Sequence, residues 1–274
     1  MNKNEFKKAK DTKDIAIELI KKTPYWMILA FVLIFPLVHI LNIIPIIDLM
    51  KIYFFLIFCY VIYIYNKAQK IFMERFAKDN GLNYQKTAAM ETVHGKLFEV
   101  GHSRSISNVI SGMYKDHPMR IFNYTFTTGH GRYSRTHGFT VLELSFEKVD
   151  FPHILLLSQT MGYYRGIRGK SESISLEDEF RKDFELFVQK GYEIEVMQIF
   201  TLETLRTIKE KVAKFSIGFY GKAVYFFDDK TIGKNIDLQE LLGVTEKVFE
   251  SMRPLLNRLY NDFEVLHKYY RDKS

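Results

Sequence analysis

The sequence predicts an α+β protein: an N-terminal two-helix transmembrane hairpin, then a mainly antiparallel β-sheet domain with flanking helices and a long C-terminal helix. Three observations predict it. Residues 24–65 are almost continuously apolar. Residues 82–158 form short β-favouring runs separated by turn chemistry, with no helix-length segment between them. From residue 171 onward, helix-period and strand-period segments alternate.

The N-terminal 1–23 stretch reads as a basic amphipathic helix over Glu5 to Lys22. Phe6, Ala9, Ala16, Ile17 and Ile20 fall near one face, and lysines cover the rest. Such a helix suits an anionic membrane surface, or docks on a soluble domain. The hairpin, 24–66, follows. "PYWMILAFVLIFPLVHILNIIPII" carries no charge, and roughly twenty such residues cross a hydrocarbon core. After "DLMK" comes "IYFFLIFCYVIYIY", long enough to span when Leu49, Met50 and a snorkelling Lys51 are counted. The short link makes the two spans antiparallel. A secretory signal fits poorly, because the first run is too long and has no small-residue cleavage site.

Lysines crowd the chain before the first span, and Lys67, Lys70, Arg75 and Lys78 follow the second, while the link offers only Asp48 and Lys51. The positive-inside tendency then places both termini and the main domain in the cytoplasm. Tyr25 and Trp26 at the start of the first span, with Tyr63 and Tyr65 at the end of the second, suit one interfacial belt. His39 and Asn42 are polar groups inside the first span. A proton or ligand site is one account of them; packing on the second helix is the simpler one, since mid-span holds no acidic partner. Cys59, the single cysteine, excludes an intrachain disulfide and a multi-thiolate zinc site, and is expected as a buried thiol in ordinary packing.

A membrane-proximal helix, 67–81, is expected to continue the second span through "NKAQKIFMERFAKDNG", with Gly81 as a left-handed stop. The cytoplasmic α+β domain occupies 82–274. "SISNVISGMY", "MRIFNYTFTT", "GFTVLELSFEK" and "FPHILLLSQ" read as successive antiparallel strands. For the central hairpin, pairing Phe122, Tyr124 and Phe126 with Phe146, Leu144 and Leu142 gathers apolar residues on one face. That register centres the turn on Ser134 and sends His130 and His137 to opposite sides. Farther on, "SLEDEFRKDFELFV" reads as a short helix giving way to a strand, "EIEVMQIF" as a strand, and "TLETLRTIKEKV" as a helix capped by Thr201. "KFSIGFYGKAVYFFDD" reads as two strands joined at Gly221. The C-terminal helix opens with Asp237 and Glu240 in capping-box positions and meets Pro254.

Chemistry is sparse. Six of the eight histidines (His94, His102, His117, His130, His137, His153) lie in this region without metal-ligand spacing, so no metal and no cofactor are expected. "GHSRSISNVISG" sets serines beside His102, but no G-x-S-x-G occurs; a membrane-bound Ser/His hydrolase is an alternative carried by residue supply alone. Neither a Walker A sequence nor G-x-G-x-x-G is present. The candidate binding groups are basic: His130, Arg132, Arg135 and His137 in "TTGHGRYSRTHG", and Arg165, Arg168 and Lys170 in "YYRGIRGK". Residues 94–170 carry ten Lys or Arg against five acids, whereas the chain after 170 carries sixteen against nineteen. A basic front suits anionic lipid headgroups. Nucleic acid is disfavoured, because the basic residues never condense into a dense tract.

In their order, "GKLFEVGHSRSISNVISG", "RIFNYTFTTG", "HGFTVLELSF", "PHILLLS" and "QIFTLETL" behind a membrane hairpin resemble an uncharacterised family of bacterial membrane proteins. The likeness spans roughly residues 20 to 230. It implies a bacterial inner-membrane protein with a cytoplasmic α+β domain, and it brings no activity or functional residues. The sequence therefore reads as a membrane-anchored, non-enzymatic binding or scaffolding module. It would hold the bilayer through 24–66 and contact anionic lipid or a protein partner, with homo-oligomerisation open. A pleckstrin-like headgroup binder is the first alternative.

Overall fold

The computed structural model describes residues 10–23, 46–115, 117–147, 149–160, 171–212, 215–229 and 238–253. The first predicted span, with His39 and Asn42, lies outside them. So do Phe6, Ala9, Asp237, Pro254 and the basic loop holding Arg165, Arg168 and Lys170. The described residues divide between two compact units, one within Lys7–Phe76 and one containing Ala77–Ile232.

In the first unit, α1 spans Thr12–Lys21. Lys10 and Asp11 are not helical, so among described residues the helix starts later than the amphipathic pattern predicts. Asp11 holds the extended N-cap conformation there. Thr12 and Ile15 are buried, while Ile17 and Ile20 are exposed. Helix α2 runs unbroken over Ile46–Asp79, and its part from Met50 is long and apolar enough to cross a membrane. Its surface changes character along its length. Phe54, Phe55 and Phe58 are each 61–64% exposed, whereas Ala68, Phe72, Met73 and Phe76 are fully buried. Cys59 is exposed rather than buried, because it lies on the stretch whose apolar side chains point outward. The hydroxyls of Thr23 and Tyr60 meet, joining the end of α1 to α2.

At its C-terminus α2 closes as the sequence predicts. Gly81 has φ +66°, the Leu82 N–H donates to the Ala77 carbonyl at 2.8 Å, and the Gly81 N–H donates to Lys78 at 3.3 Å. This is the Schellman pattern, which satisfies two orphan carbonyls.

The second unit is α+β. Its strands are β1 (Asn83–Ala88), β2 (His102–Tyr114), β3 (His117–Thr128), β4 (Arg135–Ser145), β5 (Phe151–Ser158), β6 (Glu172–Ile174), β7 (Phe184–Val188), β8 (Ser216–Gly221) and β9 (Ala223–Asp228). They form one nine-stranded sheet in the order β1-β2-β3-β4-β9-β8-β5-β7-β6, and every pairing is antiparallel. The helices are α3 (Asp178–Arg181), α4 (Glu193–Ile199), α5 (Leu202–Val212) and α6 (238–253).

One apolar row crosses the whole sheet. Tyr84, Ile110, Ile121, Leu142, Phe226, Ile217, Leu156, Leu186 and Ile174 stand directly opposite one another in turn. From Ile110 to Leu186 each is at most 1% exposed. Helices cover this face. Phe249 of α6 meets His117 and Phe146 at 5.2 and 5.7 Å, and Phe200 after α4 meets Phe219 at 6.1 Å. Lys115 fastens α6 through Glu246 at 3.1 Å and Glu250 at 2.8 Å.

Two further sequence expectations are corrected. The β3–β4 register sets Phe122 against Val141, Tyr124 against Phe139 and Phe126 against His137, not against Phe146, Leu144 and Leu142. The expected register assumed one polar face. In fact both faces of β4 are buried, so Val141 and Leu142 each have a core to enter. "EIEVMQIF" forms helix α4, not a strand. Tyr192, Val196, Ile199 and Phe200 are buried at helical spacing while Ile194 is 75% exposed, and the alternation of Glu with apolar residues imitates a strand only locally. The Thr201 cap is present: its hydroxyl accepts from the Thr204 N–H at 3.3 Å.

Leu142→Ala, in the middle of the apolar row, should cost about 2–5 kcal/mol. Ile194→Ala should stay within about 0.5 kcal/mol. Urea unfolding of the detergent-solubilised protein, followed by the sheet's circular dichroism, checks both.

Candidate functional site

The opposite face of the sheet has no helix from α3 to α6 at its centre. It is covered by residues 89–101, a strap holding two turns of 3₁₀ helix (Met90–Thr92 and Lys96–Phe98). A second cross-strand row lies beneath: Ser111, Arg120, Glu143, Tyr225, Gly218, Leu155 and Phe187. It is polar at one end and apolar at the other.

Three polar groups tie the strap down. Arg120 donates to the Thr92 carbonyl at 2.7 Å and to its hydroxyl at 3.1 Å. The Tyr225 hydroxyl meets the His94 backbone. Arg104 donates to the Phe98 carbonyl at 2.8 Å. Between these ties, Phe98 enters the core, with ring centroids 5.1 Å from Tyr124 and Tyr225 and 6.1 Å from Phe122. Each such aromatic pair contributes about 0.5–1.5 kcal/mol beyond area burial. Gly95 and Gly101 take φ of +118° and +68°, a backbone that side-chain-bearing residues rarely adopt. At Gly101 a Cβ would also come within 2.4 Å of the Thr127 carbonyl oxygen.

Buried electrostatics sit under the strap. Glu143 is 5% exposed and accepts from Arg120 at 2.6 Å. Burial pushes its carboxyl above the usual range, and Arg120 pulls it partly back. Burial drives the Tyr124 phenol up to about 12 against the opposing charge of Arg104. Its hydroxyl oxygen is buried and has no hydrogen-bond partner among the described residues. His153 is held down to about 4, first by burial and then by Lys96, and its Nδ1 meets the Ser171 hydroxyl at 2.6 Å. His94, Lys96, Phe98, His153, Tyr220 and Tyr225 line a small pocket of about 20 Å³ over Gly218, whose missing side chain leaves the space. That volume suits a water or two.

The hairpin tip is a separate surface. Residues 129–134 turn through a 3₁₀ segment, Gly131–Tyr133, and Tyr133 is 81% exposed. His130 stacks on His102 with centroids 4.9 Å apart and planes 3° from parallel. The His102 Nε2 lies 2.8 Å from the Gly129 carbonyl, which fixes that nitrogen as the donor. His137 is opposite Phe126, stacks on its ring at 5.0 Å and meets the Thr128 hydroxyl at 2.9 Å. Burial and Arg135 lower its pKa. His130 therefore pairs with strand β2, a contact the expected register did not contain. Arg132 and Arg135 are exposed, and neither has a carboxylate partner among the described residues. No group of three or more His, Cys, Asp or Glu that could hold a metal is present among the described residues.

Among the described residues there are two His–Ser contacts, His102 with Ser103 at 3.1 Å and His153 with Ser171. In neither does a described carboxylate orient the imidazole's other nitrogen, the third member a serine nucleophile needs.

No protein-family model matches this sequence, and no curated protein does. Among solved structures, the mycobacterial trehalose monomycolate transport factor A is similar, with a TM-score of 0.52 at 10% identity. The match covers 68% of this chain and 94% of that one. It shows a shared fold. The strap residues had no sequence signal beyond the glycines that flank them; only their meeting with Arg104, Arg120 and Tyr225 marks the site.

Two measurements follow from this geometry. Arg120→Ala should cost about 3 kcal/mol by stranding the buried Glu143 carboxylate, and adding Glu143→Leu should recover much of it; urea titration reads both. His153 is protonated more readily unfolded than folded, so its share of stability should decline as pH falls below about 6.5 and level off near 4. His153→Gln should flatten that part of the pH–stability curve.

Proposed function

We propose that this chain is a membrane-anchored, non-enzymatic binding module of a bacterial inner membrane, belonging to the uncharacterised family its segment order resembles. It crosses the bilayer twice over 24–66, with both termini and the sheet domain in the cytoplasm. Its basic hairpin tip contacts anionic lipid headgroups.

The observation that carries the reading is the surface of α2. Its run of outward Phe, Ile, Leu and Val from Ile52 to Ile62 forms an apolar face too large to leave in water, and hydrocarbon is the solvent that suits it. The lysines and arginine that follow, Lys67, Lys70, Arg75 and Lys78, favour a cytoplasmic end. The lipid contact is supported by Arg132 and Arg135, cations without a described counter-charge at an exposed turn. Attraction to an anionic leaflet is worth about 1 kcal/mol per such residue. The structurally similar protein is a transport factor for trehalose monomycolate, which fits a lipid-facing role. A protein partner at the same tip is the second reading, favoured by Tyr133, an exposed aromatic between the two arginines.

In a Cys59→Ala background, Asp48→Cys should react with an impermeant thiol reagent only from the periplasmic side, and Ser171→Cys only from the cytoplasmic side. Reaction of both from one side would end the two-span topology. Arg132→Ala with Arg135→Ala should leave the melting temperature unchanged. It should weaken binding of added phosphatidylglycerol liposomes several-fold at low salt. Unchanged liposome binding would transfer the tip to the protein-partner reading.

A further inference from the structure

We infer that the strap, residues 89–101, is the lid of a binding site for a single acyl chain with a carboxylate end, such as a long-chain fatty acid. Phe98 occupies the place of the chain when the site is closed. The inference goes beyond headgroup contact at the hairpin tip and does not depend on it.

The cover of this face is unusual for what it hides. Phe122, Tyr124, Phe139, Leu155, Tyr225 and Phe227 belong to one buried apolar cluster, and the covering segment over its centre has only two single turns of helix. The strap is held by polar ties at Thr92, His94 and Phe98, each of which can exchange for water. Left-handed glycines at 95 and 101 flank its apolar plug. A swing of residues 96–100 about those glycines withdraws Leu97 and Phe98 and extends the existing space over Gly218 into an apolar slot.

The polar end of the slot specifies the ligand. The Tyr124 hydroxyl is buried without a partner among the described residues, an arrangement that is costly unless something else supplies the acceptor. Arg104 lies close enough for its charge to act on that hydroxyl. Among the described residues Arg104 has a carbonyl, that of Phe98, and no carboxylate. When Phe98 leaves, the guanidinium loses that acceptor as well. A carboxylate accepts from both a guanidinium and a phenol, and the methylenes behind it fill the position of the Phe98 ring.

The test uses the full chain in phosphatidylcholine nanodiscs, a 16-carbon fatty acid bearing a mid-chain diazirine, and peptide mapping after illumination. The expected result is label on strap-face peptides, including β3 and β9, that excess unlabelled palmitate removes. Tyr124→Phe, which deletes only an unpartnered hydroxyl, should keep the melting temperature and lower strap-face label at least five-fold. Label on α2 should stay unchanged and so report intact folding and insertion. The methyl ester of the same probe should label the strap face at least five-fold less. Label confined to α2, or strap-face label indifferent to Tyr124→Phe or to esterification, would overturn the inference. The Arg132/Arg135 double variant should label normally, which separates this result from the headgroup proposal.

Discussion

The row of opposed side chains from Ile110 through Ile121, Leu142, Phe226, Ile217 and Leu156 to Leu186 is the contact on which the sheet domain depends. It draws one residue from each of seven strands, and its members have almost no exposure. Antiparallel pairing sets direct neighbours on the same face, so this row fixes the register of every strand it crosses. Once it is in place, the residues one step along each strand must point the other way. That geometry assembles the second row, and with it Arg120, Glu143, Tyr225 and Gly218, under the strap. A one-residue slip anywhere would exchange the two faces and dissolve both core and site together.

The two faces answer different demands. The helical face is mostly apolar, and Phe200 after α4 and Phe249 of α6 pack onto it. The strap face mixes charge with apolar surface. Arg120 and Tyr225, held in register by the sheet, reach up to the strap backbone, and Glu143 between them makes the arrangement polar at its root. A segment with so little regular hydrogen bonding of its own relies on such side-chain acceptors and donors to satisfy its backbone. Its position is thus conditional on the row beneath it.

The first unit follows a simpler rule. Along α2 the same helix carries outward apolar residues in its first half and buried ones from Ile64 onward. The first half shows no periodic apolar stripe, and the segment reads from sequence by uninterrupted apolarity, the composition of a helix long and apolar enough to cross a membrane.

Much of this architecture is legible in the amino-acid sequence. The strand runs, the α2 stop at Gly81, the Thr201 cap and the β8–β9 turn at Gly221 are local, and local chemistry decides them. Where local patterns mislead, a distant partner decides. The β3–β4 register turns on whether both faces of β4 are covered, and the covers are distant in the chain: the strap for the face of Val141 and helices far beyond β4 for the face of Leu142. Segment 193–199 alternates like a strand, yet it is a helix because Tyr192, Val196 and Phe200 have a core to enter on one side. At the tip, the partner of His130 is invisible to hairpin register, because that partner, His102, belongs to β2. By itself, then, the order of amino acids determined the long apolar helix, the strand-rich composition and the turns, since each follows from neighbours along the chain. Only the tertiary structure decided which face each strand buries, where the strap lies and that Tyr124 is left without a partner among the described residues, because those depend on residues brought together solely by the sheet.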